Sequence, residues 1–390
     1  MNTNSTLRKY TAWSALMLAI CAVSGCTGLK VDRPLNAHEE DWLTFGGNNE
    51  RSNVARQEVK PPLALEWVHD LTGGIGNGAL VVVDSTVIVG NLRGELYAIN
   101  ANTGKRYGWV DLGEAIQGSP VVDSGIAYIA ATNTVESLVA YDLREGRILW
   151  KKQYGDIEVS PVLVKNRLYF GTMEGIFYCA AREDGELLWR FEIPENTKRK
   201  GIRSTAAAAQ GVLVFGADDG MLYALDGQSG ELRWKAQLAG SIVASPAISG
   251  NRVFVGDLHG MFQAVDLLTG DVQWSVNTGS AMYACPTVGD GMVIVGTTGG
   301  LLIAYHPDDG RRLWTADLES VINSSAVLSG KTLYVGTLEK KLYAVQAENG
   351  AISWSTELPG RIKTTPTIAA GKLFVATDNR MVIALRGGNE

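Results

Sequence analysis

The chain has 390 residues, 46% of them hydrophobic and 19% charged, a composition that excludes intrinsic disorder. A formal net charge of −6, with no large basic stripe, argues against nucleic acid as a partner. Glycine is abundant at 45 residues, which suits a fold built on many tight turns.

In chain order, residues 1–25 read as a targeting segment. Arg8 and Lys9 precede an apolar run from about Ala12 to Val23, too short to span a bilayer comfortably. The run ends in Val23-Ser24-Gly25-Cys26. Two small residues before a cysteine resemble the lipobox of bacterial lipoproteins. That resemblance implies cleavage before Cys26 and acylation of its thiol and amine, with several acyl chains giving firm anchoring. Loss of residues 1–25 takes the formal charge from −6 to −8. Thr27, where an aspartate would imply inner-membrane retention, favours the outer membrane. Residues 26–62 are expected to form anchor, tether and N-terminal strap, with Trp42 and Phe45 packing the strap onto the repeat domain.

From residue 63 the chain repeats. Trp67, Trp109, Trp150, Trp189, Trp234, Trp274, Trp314 and Trp354 recur at intervals of 42, 41, 39, 45, 40, 40 and 40. Glycines four or five residues before the tryptophans, from Gly104 to Gly350, march with them. So do small residues such as Ala224 and Ala264, and glycines such as Gly216 and Gly256 that end apolar runs. Within residues 244–276, short β-prone runs are cut by Gly-Asn, His-Gly and Thr-Gly, turn signals at strand spacing. Four strands per unit at a period of about 40 predict an all-β, eight-bladed propeller over residues 63–390. Residues 364–386 hold three strands and no tryptophan, while residues 63–68 supply an outer strand with Trp67. Three plus one predicts that the N-terminal strand closes blade eight.

Chemistry-bearing patterns are sparse. His38, His69, His259 and His306 are scattered, without metal-ligand spacing. Asp218-Asp219-Gly220 and Asp308-Asp309-Gly310 fall in turns, where Asp-Gly is favoured for backbone reasons. Cys179 and Cys285 occupy small-residue slots of blades three and six, too far apart to be bridged. The 45-residue interval holds an insertion, IPENTKRKGIRST at 193–205, where Lys198, Arg199, Lys200 and Arg203 concentrate positive charge. A loop on a rigid scaffold is a natural docking site, and arginine pairs well with carboxylates.

The alanine, aspartate, glycine and tryptophan pattern over about residues 63–386 resembles the quinoprotein-type propeller family. DWLTFGGNNERSNV at 41–54 is also similar to the lead-in of pyrroloquinoline-quinone dehydrogenases, but the chain has no Cys-Cys pair and no recognisable calcium ligand cluster. Neither catalysis nor a cofactor or metal is therefore expected. A degenerate quinoprotein, or a binder of another periplasmic or surface ligand, is the alternative. A propeller behind a lipobox resembles the BamB family, lipoproteins of the outer-membrane β-barrel assembly machinery. That resemblance implies a scaffold facing the periplasm whose partner is a BamA-like barrel subunit. Ile202-Arg203 stands where the family carries an apolar-arginine contact motif. The family's second, acidic patch has no counterpart in Ser241-Ile242-Val243-Ala244-Ser245-Pro246.

Overall fold

The computed structural model describes residues 28–388 except Ala79, 133–135 and 195–196, so Cys26 lies outside the described residues. Eight antiparallel sheets succeed one another around a ring. They span residues 81–111, 121–152, 162–192, 207–237, 247–277, 287–317, 327–357 and 367–387, and are termed blades one to eight. Blade eight takes its fourth strand, Leu63–Asp70, from the N-terminal side, paired antiparallel to Met381–Gly387. The expected closure is therefore present. It joins the two ends of the propeller through a seven-pair ladder, the longest in the ring, so no inner sheet edge is left open there.

The repeated residues have physical reasons. In blade four Trp234 lies opposite Ala224 at a bulge, and in blade five Trp274 lies opposite Ala264. Each indole reaches into the next blade. Trp234 Nε1 donates to Leu267 O at 2.9 Å, Trp274 to Pro307 O at 2.9 Å and Trp314 to Ala347 O at 2.7 Å. Beneath these three indoles sit the turn glycines Gly270, Gly310 and Gly350, each with positive φ. A Cβ on Gly270 or Gly310 would come within 2.7 Å of ring carbons of Trp234 or Trp274. The tryptophan thus seals a blade seam, and truncating such a buried indole typically costs about 3–5 kcal/mol.

Blade one departs from the pattern. Opposite Ala98 stands Gly108, and Trp109 pairs with Tyr97, one residue out of step. Trp109 stacks on Tyr97 and packs toward the blade-eight side. It does not seal the seam with blade two, so its expected place in the series is corrected by one position. The N-terminal segment fills that seam instead. Leu29 and Val31 are fully buried in the cluster shared by blades one and two. Val31 N donates to Leu143 O at 2.8 Å, the turn carbonyl equivalent to those the indoles use elsewhere. Tyr141 Oη donates to Leu29 O at 2.7 Å. A Cβ on Gly108 would run into the Gly28 carbonyl.

From there the chain crosses the face that carries the first-to-second strand turns. Arg33 pairs with Asp84 at 2.7 Å. The strap then circles the inner strands. Trp42 bridges Val82 of blade one, and Leu43 O accepts from Val122 of blade two. Asn49 O, Glu50 O, Ser52 O and Asn53 O accept from Ala208, Ile248, Val288 and Leu328 of blades four to seven. Val54–Ala55 finally runs parallel to Leu328-Ser329. At the centre Arg51 is fully buried. Its Nε donates to Ala206 O and its Nη1 to Thr44 Oγ1 and to the Phe45 and Asn48 carbonyls. Burial without a carboxylate lowers the Arg51 pKa to about 10. Trp42 and Phe45 are both buried, as expected of strap anchors.

Candidate functional site

The strap seals one end of the central channel, and the other end is open. A cavity of about 340 Å³ lies there, floored by Phe45. Its wall is built from the repeat. Each link between blades carries a buried apolar residue: Ile116, Ile157, Ile202, Ile242, Met282, Ile322 or Ile362. Except for Ile157, whose preceding blade ends its second strand in Ala130, these side chains press on the glycine that ends the second strand of the preceding blade. Ile202 does so on Gly171, and Ile242 on Gly216. The next residue faces the channel: Gln117, Glu158, Arg203, Val243, Tyr283, Asn323 and Lys363.

Below them runs a belt joining adjacent blades. Ser119 N donates to Ser160 Oγ at 2.8 Å, Ser160 N to Thr205 Oγ1 at 3.1 Å and Thr205 N to Ser245 Oγ at 2.8 Å. Cys285 N donates to Ser325 Oγ at 2.9 Å. The serine or threonine before the first strand is therefore a seam bond, and Cys285 fills one of its places.

Arg203 is about 40% exposed at the mouth and forks onto Asp218 Oδ1 through Nε at 3.0 Å and Nη2 at 2.7 Å. Glu158 lies near this pair. Desolvation, then Asp156, raises its pKa, partly offset by Arg203. Lys363 approaches Asp378 at 3.9 Å, and Tyr283 is 47% exposed on the same rim. Arginine and tyrosine are the residue types that most often dominate protein interfaces.

The expected docking residues separate. Lys198 and Arg199 are exposed, Lys200 is half-buried, and among the described residues none of the three has a carboxylate within salt-bridge distance. Ile202 is 0% exposed. Its slot is occupied by isoleucine or methionine in six other links because the blade core needs it there. Arg203 shares its face with Asp218. Asp219 and Asp257 are engaged in their own turns, accepting from Met221 N at 2.9 Å and His259 N at 2.9 Å respectively, and Asp257 also accepts from Gly240 N in the preceding link at 2.7 Å. Sequence reasoning missed Tyr283, Glu158 and Lys363. Their signal was their shared place one residue after the link isoleucine or methionine.

Cys179 and Cys285 are buried free thiols, and desolvation raises Cys179 to about 11. Among the described residues, no group of three or more His, Cys, Asp or Glu side chains could hold a metal ion. Glu158 is the lone carboxylate among the residues lining the cavity, beside two cations. That donor set does not fit a calcium–quinone pair, which needs six to eight oxygen ligands around the cation.

Ring and channel together define an eight-bladed, quinoprotein-like propeller, strapped shut at one end and open at the other. The sequence profile described as Outer membrane protein assembly factor BamB matches residues 51–200, 173–325 and 298–389. The chain belongs to the BamB family of outer-membrane protein assembly factors. It is 24% identical to the factor of that name from Legionella pneumophila (strain Paris) over 187 residues. The match covers 45% of this chain and spans about half, 47%, of that relative's length. The fold is similar to BamB from Moraxella catarrhalis, with a TM-score of 0.72 at 18% identity, covering 83% of this chain and 99% of that one. It is also similar to a quinohemoprotein alcohol dehydrogenase from Pseudomonas putida HK5, with a TM-score of 0.77 at 14% identity, covering 90% and 81%. Both likenesses concern the fold alone.

Proposed function

We propose that the chain is a non-catalytic lipoprotein scaffold, anchored through Cys26 to the outer membrane and facing the periplasm, that assists assembly of β-barrel outer-membrane proteins. The observation that carries this reading is the family match across residues 51–389, the whole ring and the last part of its strap. The open channel mouth is the docking surface. Arg203 offers a half-exposed, preorganised guanidinium, Tyr283 offers an exposed ring, and the Lys198–Lys200 loop stands beside them. The partner is the BamA-like barrel subunit of the assembly machinery. The ring supplies rigidity, because seven links between blades carry a buried apolar residue and serine or threonine hydroxyls bond across four of the seams.

The test is a pull-down from native membranes in mild detergent, with mass spectrometry of the co-purified proteins. Recovery of a large β-barrel subunit is expected. Its absence, with the propeller intact, would overturn the reading.

A further inference from the structure

The tether that replaces the missing tryptophan also fixes where the chain leaves the ring. Gly28 and Leu29 are wedged against Gly108 and Gly146 at the outer edge of blades one and two. Cys26 is two residues earlier, so covalent geometry keeps its Cα within about 7 Å of Gly28. A lipid on Cys26 would therefore emerge at this seam, with almost no slack between acyl chains and protein.

The edge around that exit is basic in a chain whose net charge is negative. Lys105 and Arg106 stand on the rim of blade one, Arg106 toward His69 of blade eight, and Arg144 and Arg147 stand on the rim of blade two. All four are exposed, and among the described residues none has a carboxylate within salt-bridge distance. Lys30 pairs with Asp32 at 3.2 Å, and Glu145 is the exposed acid between the two arginines. Four unpaired cations beside a short anchor suit a surface of anionic headgroups, where each cation near the membrane adds to the hold of the lipid.

We infer that the rim of blades one and two is a membrane-contacting surface that rests on anionic phospholipid headgroups. The inference rests on the proposed acylation of Cys26. It makes the propeller a body seated on the bilayer by one edge, rather than one hanging from a free leash.

The test uses the acylated protein in vesicles of phosphatidylethanolamine and phosphatidylglycerol, about 3:1, with an acceptor dye on the headgroups. A donor dye is placed at Glu145→Cys in blade two or at Asp309→Cys in blade six, directly across the ring. Buried Cys179 and Cys285 do not compete for label. Energy transfer from position 145 should exceed that from position 309 by about threefold or more. It should drop in the combined variant Lys105→Glu, Arg106→Glu, Arg144→Glu and Arg147→Glu, while the protein stays vesicle-bound through its lipid. Equal transfer from both sites would overturn the surface and leave the anchor standing. The mass of the N-terminal peptide reports acylation separately. If Cys26 proves unmodified, the same full chain is sedimented with phosphatidylglycerol or phosphatidylcholine vesicles. Binding that needs the anionic lipid and is lost in the four-site variant supports the surface; no binding overturns it.

Discussion

The seam between blades five and six and the seam between blades one and two solve one packing problem in two ways. At the first, Trp274 covers Gly310 and donates its indole N–H to Pro307 O. At the second, Leu29 and Val31 fill the space and the Val31 amide donates to Leu143 O. A repeat position is thus a demand for volume and one hydrogen-bond donor, not for a residue type. A segment from outside the repeat can meet it, and so becomes structurally committed.

Substitutions at the two seams separate these solutions. Trp274→Ala should have the largest effect, a loss of about 3–5 kcal/mol in global stability by denaturant titration. A loss under about 1 kcal/mol would show that the indole is not what holds its seam. Leu29→Ala should cost less, about 2 kcal/mol, because the tether can lift away without opening the ring. Hydrogen exchange should then find the Val31 amide unprotected while blade six keeps its protection. Equal loss of protection in both places would merge the two seams into one cooperative unit. Gly108→Ala should cost about 1 kcal/mol by pushing the Gly28 carbonyl outward, read as a lower Tm. The smallest effect belongs to the channel mouth. The Glu158 carboxyl has its pKa raised in the fold, so the ionised form is penalised there relative to the unfolded chain. That penalty is present above the folded pKa and disappears as pH falls through it. Glu158→Gln should therefore raise Tm slightly at neutral pH and leave it unchanged at about pH 4. A rise that persists in acid would contradict this cause.

The architecture was legible because tryptophan, alanine and glycine recur for reasons of shape, and shape repeats with the blade. The closing strand was legible because blade eight lacked a tryptophan that Trp67 supplied. The slip at Gly108 was not, because Trp109 falls within one residue of the expected spacing and only the strand register distinguishes them. The course of the strap was also hidden. Its carbonyls accept from inner strands of successive blades, and a carbonyl leaves no mark on side-chain pattern. At the mouth, charge density drew attention to Lys198–Lys200, whereas the residues that face the channel are spaced one per blade and look ordinary in isolation.

Docking of a β-barrel assembly subunit at the open channel mouth, through Arg203, is the step on which the functional reading turns. Arg203→Glu would set a third carboxylate against Asp218 and Glu158, so Arg203→Gln is the cleaner change, with circular dichroism to confirm the fold. Titration of the purified barrel subunit against both forms is the direct measurement. Loss of a charged pair at an interface typically costs about 2–5 kcal/mol, so affinity should fall by more than about tenfold. Unchanged affinity with an intact propeller would contradict docking through Arg203.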